Sequence, residues 1–326
     1  MVIYTQPMVA IFMVTYNHEK YIEEAVESIV SQLTNFKYTL FIAEDCSTDN
    51  TRNICIELSQ KHLAKIHLVL NPTNMGGLAN SQNLMNICCQ SGAKYITLCE
   101  GDDYWTDPDK LQKQVDFLES NPTYSAVFGS TQILMDEPQA PAWALGHFDA
   151  KEDTDLLLVD FLKEKMPAHV SSILLRKDVL SPSFIKNQKD IVPGDRYLAA
   201  GCFLKGKVRY LAQPFSVYRR HSGGISQTAE HSEVGLHAGN VHMLLRLLKQ
   251  FPEKDCTHIY LCLNWRLNET AYAYRRISRL KARFQALKMI YKFYPMALFF
   301  EFIIRETLIQ LFPSIIHRIH ARSKPA

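Results

Sequence analysis

The residues most able to do chemistry in this 326-residue chain are Glu100-Gly101-Asp102-Asp103, which follow the short apolar run Tyr95–Cys99. Carboxylates packed this closely repel one another and need a cation or a proton nearby. Hard oxygen ligands suit Mg2+ or Mn2+, typically shared between one or two carboxylates and the phosphates of a substrate. An acidic turn capping the next helix, with Asp107 and Asp109 as further N-terminal acids, would look the same in isolation. Two other turns are not isolated from it. Thr15-Tyr16-Asn17 ends the run Val9–Thr15, and Asp45 follows Tyr38–Ala43. An aromatic face beside a carboxylate is what a nucleobase needs: stacking on the ring, and an acceptor for its imino N–H.

These turns must be positioned by regular elements, and the hydrophobic pattern supplies them. Val9–Thr15 is a continuous apolar run of strand length. Ile22, Ala25, Val26, Ile29, Val30 and Leu33 then recur at helical spacing, with Asn17 placed to cap that helix. Tyr38–Ala43, Ile66–Leu70, Tyr95–Cys99 and Ala126–Ser130 read as further strands. Helices are expected to His62, near Asn80–Gln90, and after Pro108 with Leu111, Val115 and Leu118 inward. Alternation at this spacing means an α/β fold with a mostly parallel sheet covered on both faces. Ligands of such sheets bind beyond the carboxyl ends of the strands, where the polar turns lie.

Residues 131–165 look irregular apart from a helix around Asp155–Lys165. His169–Arg176 and Val208–Arg219 read as strands, with a helix between them starting near Asp195. From Glu233 the pattern is helical to the end.

Four ordered segments, VAIFMVTYNHEKYI (Val9–Ile22), EDCSTDNT (Glu44–Thr51), NMGG (Asn74–Gly77) and EGDDYW (Glu100–Trp105), resemble the family 2 glycosyltransferases. The likeness is close over residues 8–130 and looser to about 226. It implies a GT-A (Rossmann-like) catalytic domain over 1–230, with a nucleotide-sugar half at 1–130 and an acceptor half at 131–230. A C-terminal helical region, 231–326, would follow. It also implies that Tyr16 and Asp45 hold the donor's uracil or other base, with Thr15 and Asn17 beside them. Asn74 and Gly76 would lie near the nucleotide or sugar, and Asp102 and Asp103 would hold the ribose and a Mn2+ or Mg2+ ion. Two departures stand out: Glu100 replaces the usual Asp, and Cys46 replaces a Gly whose backbone freedom the turn normally uses. Asp103 is therefore the preferred metal ligand over Glu100.

The resemblance places the general base of an inverting transfer at Asp195, in Pro193-Gly194-Asp195-Arg196. A plain helix cap is the alternative for this residue. In Tyr218–Ser226, His221 is a further candidate metal ligand, and Arg219 or Arg220 would offset leaving-group charge, Arg219 being assigned to the donor site. His169 is a weaker candidate on the acceptor side. The implied partners are a nucleotide-sugar donor, UDP-linked by preference, and a glycan or lipid-linked acceptor in cell-surface polysaccharide or lipopolysaccharide synthesis. An inactive scaffold of the same fold is the non-enzymatic alternative. A sugar-phosphate nucleotidylyltransferase would want a Gly-rich basic loop after the first strand, and a dehydrogenase would want GxGxxG there; neither is present.

Charge sets the last region apart. The chain carries +3, yet from Arg275 onward eleven Lys/Arg face only Glu301 and Glu306, so that segment is +9 and the first 274 residues carry −6. Apolar residues interleave with the bases, which suggests either an anionic membrane surface for 275–326 or a helical bundle packed on protein, a second subunit included. Nucleic acid is not an expected partner, because no recognised binding module accompanies the charge. The expected location is cytoplasmic, peripheral on the inner face of the cell membrane if the tail binds lipid. The N-terminus lacks a basic n-region, and eight cysteines without CxxC spacing read as reduced thiols.

Overall fold

The apolar runs Val9–Thr15 (β1), Tyr38–Glu44 (β2), Ile66–Leu70 (β3) and Tyr95–Leu98 (β4) form the parallel half of one sheet, in the order β3-β2-β1-β4. The computed structural model describes residues 6–135, 151–163, 169–188, 194–221, 223–224 and 233–311. Within them the register sets Thr15 opposite Glu44, so the ends of β1 and β2 open at one edge. The acidic loop joins that edge through a Gly101 N–H that donates to the Val14 carbonyl at 3.1 Å.

Helices α1 (Ile22–Val30), α2 (Thr51–Lys61), α3 (Gly77–Gln90) and α4 (Lys110–Ser120) follow these strands. Helix α1 buries Ile22, Ala25, Val26, Ile29 and Val30 in a cluster with Ile11, Met13, Leu40 and Ile42. Burying an aliphatic side chain of this size contributes about 1.5–3 kcal/mol, so Ile29→Ala is the kind of change that would loosen this layer.

The second half of the sheet comes from longer-range pairing. Strand β8 (Leu174–Arg176) is antiparallel to both β4 and β6 (Tyr124–Met135), and β6 runs parallel to β9 (Lys207–Arg220). Strands β5 (Tyr104–Trp105) and β7 (Thr154–Leu156) both pair antiparallel with β9. Helices α5 (Leu158–Lys163), α6 (Pro182–Gln188) and α7 (Gly194–Lys205) belong to this part. The fold is thus the expected α/β architecture, a mostly parallel sheet with flanking helices.

The chain divides into two compact units, residues 1–190 with 194–224 and residues 191–193 with 225–326. The second is built from α8 (Glu233–Leu247), α9 (Glu253–Arg275), α10 (Leu280–Phe293) and α11 (Met296–Leu311). Val241, Tyr274, Ile290, Phe293 and Phe302 are among its buried residues. Arg275 also makes two 2.8 Å hydrogen bonds to the buried Glu306 carboxylate.

Several local expectations need correction. Asn17 does not cap α1: the cap position is Tyr21, and Asn17 sits at φ 57° with its Oδ1 accepting from Thr48 N at 2.8 Å. The helix also stops at Val30, leaving Leu33 exposed. Strand β6 continues to Met135, well past Ser130, because β9 offers it a partner along its length. Asp155 lies in β7 and the helix expected there starts at Leu158. The strand expected over His169–Arg176 shrinks to Leu174–Arg176, because His169 instead caps a 3-10 turn over Val170–Ser172. Residues 136–150 and 312–326 of the irregular segment and basic tail lie outside the described residues.

Candidate active site

Gly101 decides how closely the acidic loop approaches β1. A Cβ at that position would come within 2.6 Å of Thr15 Oγ1 and 2.9 Å of His18 Nδ1. No larger residue fits there without moving both. The approach draws Thr15, His18 and the loop into one group, with Thr15 Oγ1 3.3 Å from His18 Nδ1. That contact leaves the other ring nitrogen of His18 facing Asp102, whose Oδ2 lies 3.7 Å away. His221, just past β9, brings its Nε2 within 3.1 Å of the same oxygen. Tyr21 packs on the His221 ring at 4.8 Å between centroids.

Asp102 and Asp103 are neighbours in the chain but face different partners. Asp103 is fully buried; its Oδ1 accepts from Arg219 N at 3.0 Å, and its Oδ2 lies 3.2 Å from His169 Nδ1. His169 stacks on Tyr218 with centroids 4.1 Å apart and contacts Ser171 Oγ at 2.9 Å. Ligand atoms of His18, Asp102 and His221 lie close enough together to share one ion, and those of Glu100, Asp103 and His169 form a second such group. The expected ligands Asp102 and His221 are therefore brought together, with His18 as a third that the sequence did not single out. Asp103 stands in the other group.

Electrostatics separate the two groups further. Burial lowers the His18 pKa, outweighing the Asp102 charge, so its imidazole is neutral at pH 7. Burial opposes the charge on Asp102 as well, but the hydrogen bond from His221 and the nearby imidazoles hold its pKa below the ordinary value. Asp102 Oδ1 is nonetheless buried with no hydrogen-bond partner among the described residues. For His169 burial again works against charge, yet Asp103 prevails and raises its pKa to about 9. Glu100 is pushed up to about 8 by burial and by the charges of Asp102 and Asp103.

Asp195 lies in the first turn of α7, half-buried, with Oδ1 accepting from Arg196 N at 2.7 Å. Its charge adds to the raised pKa of both Glu100 and His169.

The other expected donor residues also converge. Asp45 is buried; its Oδ1 accepts from Asn71 Nδ2 at 2.8 Å and Met75 N at 2.9 Å, and its Oδ2 from Gly76 N at 3.0 Å. Asn74 Oδ1 accepts from the same Gly76 N at 2.9 Å, and Gly76 adopts φ 81°. Asp45 N donates to the Thr15 carbonyl at 3.1 Å, which ties this turn to β1. Tyr16 projects 40 % exposed from the end of β1, and Asn17 N donates to Ser47 Oγ at 3.0 Å.

Arg219 is held inward. Its Nη1 donates to the Asp102 carbonyl at 3.1 Å, its Nη2 pairs with Glu24, and its guanidinium lies 5.1 Å from the Tyr21 ring and 4.7 Å from the Tyr104 ring. Arg220 is also buried, but its Nη1 has no hydrogen-bond partner among the described residues. The sequence missed His18 and Glu24. His18 had a signal of a kind, since it lies two residues after Tyr16 at a strand end. Glu24 had none, because nothing local links it to a residue on β9.

Residues 10–179 match the profile of glycosyl transferase family 2, a span of more than half the chain. The chain belongs to glycosyl transferase family 2. A relative in this family, the dTDP-rhamnosyl transferase RfbG of Shigella flexneri, is 34 % identical over 237 residues, 69 % of this chain and 78 % of its own. Mycobacterium tuberculosis and Mycobacterium bovis relatives are 31 % identical over 220 residues, and the chain spans 61 % of their length. Among solved structures, Staphylococcus aureus TarS 1-349 in complex with UDP-GlcNAc shares the fold with TM-score 0.63 at 16 % identity, covering 86 % of this chain and 79 % of its own. The mannosyltransferase PcManGT of Pyrobaculum calidifontis, in complex with GDP-Man and Mn2+, does so with TM-score 0.54 at 15 % identity, covering 95 % and 89 %.

Proposed function

We propose that this family 2 protein is an inverting glycosyltransferase that moves a sugar from a nucleoside-diphosphate donor to a hydroxyl of a glycan or lipid-linked acceptor. The observation that carries the reading is the grouping around Asp102: a charged carboxylate with one buried oxygen lacking a partner, flanked by His18 and His221. A divalent cation answers that arrangement. Two imidazoles and one carboxylate fit Mn2+ better than Mg2+, which prefers oxygen alone. His18, Asp102 and His221 are its proposed ligands, with Thr15 orienting the His18 ring. When bound, such an ion would neutralise charge on the departing diphosphate.

Asp195 is the proposed general base. It takes the proton of the acceptor hydroxyl as that oxygen bonds to the anomeric carbon, and the bond from that carbon to the diphosphate oxygen breaks on the opposite side. The sugar's configuration inverts and the nucleoside diphosphate leaves with the electron pair. Asp103, neutralised by His169, helps hold Arg219 and the loop in place. Arg220, buried and short of a partner at Nη1, is better placed than Arg219 to meet the diphosphate, because Glu24 already engages Arg219.

Asp45 supports a uracil-type base. A carboxylate offers about four lone-pair positions, and three incoming N–H donors already occupy most of them. Uracil and thymine present one N–H at their pairing edge, whereas guanine presents an N–H and an amino group. UDP-sugars are the first expectation and dTDP-sugars the second. RfbG, by its name, and TarS, by its UDP-GlcNAc complex, point to the same class of base, while PcManGT takes GDP-Man. TuaG of Bacillus subtilis, by its name a glycosyltransferase of teichuronic acid biosynthesis, favours a polysaccharide as the acceptor.

The test is a panel of UDP-, dTDP- and GDP-sugars with Mn2+ or Mg2+, scored by nucleoside diphosphate release. Metal-dependent release with a uracil or thymine donor is expected. No release and no metal-dependent nucleotide binding with any donor would overturn the reading.

A further inference from the structure

Helices α10 and α11 leave an apolar stripe uncovered after the helical unit has built its core. Phe284 and Tyr291 on α10, and Met296, Phe300 and Ile304 on α11, are each more than half exposed. On α11 the three residues recur every fourth position, which puts them on one side of the helix. The two helices share the surface: the Tyr291 ring meets Phe299 at 5.2 Å, and Phe299 meets Phe300 at 6.1 Å. Five scattered apolar residues need no explanation. A connected aromatic and aliphatic stripe does.

The charge around the stripe says what covers it. Lys288 lies between Phe284 and Tyr291 on the same face of α10, with its Nζ 4.9 Å from the Phe284 ring. Lys292 is exposed one turn further along. Glu306, one of the two acids between residues 275 and 311, is buried against Arg275, so Glu301 is the exposed one. A second copy meeting this face across a two-fold axis would enclose four lysines, two from each copy, with the two Glu301 carboxylates as the exposed acids of these helices. An anionic bilayer meets every feature together: phosphates for the lysines, the acyl boundary for Phe, Met and Ile, and the interface for Tyr.

We infer that the α10–α11 face docks flat on an anionic lipid surface, with Phe284, Tyr291, Met296, Phe300 and Ile304 inserted and Lys288 and Lys292 at the phosphates. The contact inferred is with the membrane surface; no described helix is long and apolar enough to cross a membrane. This inference rests on the helical unit alone and is independent of the sugar-transfer reading. It goes beyond that reading by naming a surface that would hold the enzyme beside a lipid-linked acceptor.

The experiment is flotation of the full chain with vesicles of phosphatidylcholine alone and with phosphatidylcholine mixed equally with phosphatidylglycerol. Flotation with the anionic vesicles, loss of it in high salt, and none with the neutral vesicles are expected. Lys288→Gln with Lys292→Gln should weaken partitioning roughly thirtyfold. Phe300→Ser with Ile304→Ser should abolish flotation while the circular dichroism spectrum and Tm stay as in the parent. Both substitutions change exposed side chains, so a folding defect is not expected and would show in those controls. Should that pair unfold the chain, Tyr291→Ser alone must still reduce flotation. Parent protein that stays at the bottom of the gradient with anionic vesicles overturns the inference. So do folded variants that float like the parent, or sedimentation showing a dimer that Phe300→Ser with Ile304→Ser disperses. Nucleotide-sugar turnover in solution should be the same for parent and variants, which keeps this outcome separate from that of the transferase test.

Discussion

The two sides of the acidic loop solve the same problem in opposite ways. Asp102 and Asp103 are consecutive, both are buried, and each meets a histidine at 3.1–3.2 Å. On the Asp103 side the protein supplies its own cation, since His169 has its pKa raised to about 9 and is enclosed by Tyr218 and Ser171. On the Asp102 side the imidazole of His18 is held neutral and one carboxylate oxygen keeps no partner among the described residues. The Asp103 side therefore carries its own counter-charge, and the Asp102 side, on the proposed reading, is arranged to receive one. On the proposed reading, one carboxylate serves the architecture and its neighbour serves the chemistry.

Substitution at the two positions should break this symmetry most strongly. Asp103→Asn leaves buried His169 without its counter-charge, and removing one member of a buried pair costs about 3 kcal/mol or more. Chemical denaturation should show that loss. Asp102→Asn should cost far less stability but about a hundredfold or more in metal-dependent turnover, and should abolish Mn2+-dependent nucleotide binding by calorimetry. The opposite pattern, with Asp103→Asn stable and unable to bind metal, would reverse the assignment of the two sides.

Lys110 sharpens the contrast, because it is a buried cation without a carboxylate in contact. Its Nζ reaches Gln114 Oε1 at 2.9 Å and Thr97 Oγ1 at 3.3 Å and lies 4.0 Å from the Trp105 ring, and burial lowers its pKa to about 7. The unfolded chain, with an ordinary lysine near 10.5, binds more protons than the folded one between these values. Folding stability from this group therefore rises as pH increases from about 7 toward 10.5, by about 2 kcal/mol or more. Buried thiols such as Cys88 and Cys202, whose pKa values burial raises, pull the other way in the same range. The Lys110 contribution is therefore read as a difference: the parent's denaturation midpoint should climb relative to that of Lys110→Met as pH increases.

Gly101→Ala tests whether the Asp102 side depends on close approach. The added methyl group would press on Thr15 and His18. Its effect should appear as weaker Mn2+-dependent nucleotide binding, about tenfold, with the Asp103 side and overall stability changed less.

Much of the first half of this fold was legible because buried parallel strands are continuous apolar runs, and β1 to β4 are of that kind. The turns after them were legible for the same reason: knowing where a strand ends fixes where Tyr16, Asp45 and Asp102 stand. The second half was harder to read. Strand β6 owes residues 131–135 to pairing with β9, more than eighty positions away, and no local pattern encodes that. His169 read as part of a strand because its neighbours are apolar, whereas its carbonyl takes a hydrogen bond from Ser172 Oγ that favours a turn. The split between Asp102 and Asp103 was illegible as well, since it depends on which histidine each meets through space.

The smallest effect separates two residues that share an unusual backbone. Asn17 and Cys46 are the non-glycine residues with positive φ among those described, at 57° and 59°. A Cβ in this left-handed region costs about 1 kcal/mol, and the resemblance led to a glycine being expected at Cys46. Its thiol makes one weak contact, 3.8 Å to the Pro72 carbonyl. Asn17 uses its side chain fully, accepting from Thr48 N at 2.8 Å and Thr48 Oγ1 at 3.2 Å. Relief of strain should therefore prevail over lost chain entropy at one position and lose at the other. Cys46→Gly should stabilise the protein by about 0.5 kcal/mol and Asn17→Gly should destabilise it by about 1 kcal/mol, both read from denaturant midpoints. Equal signs would mean that the two turns are held by their surroundings and that these side chains matter little to either.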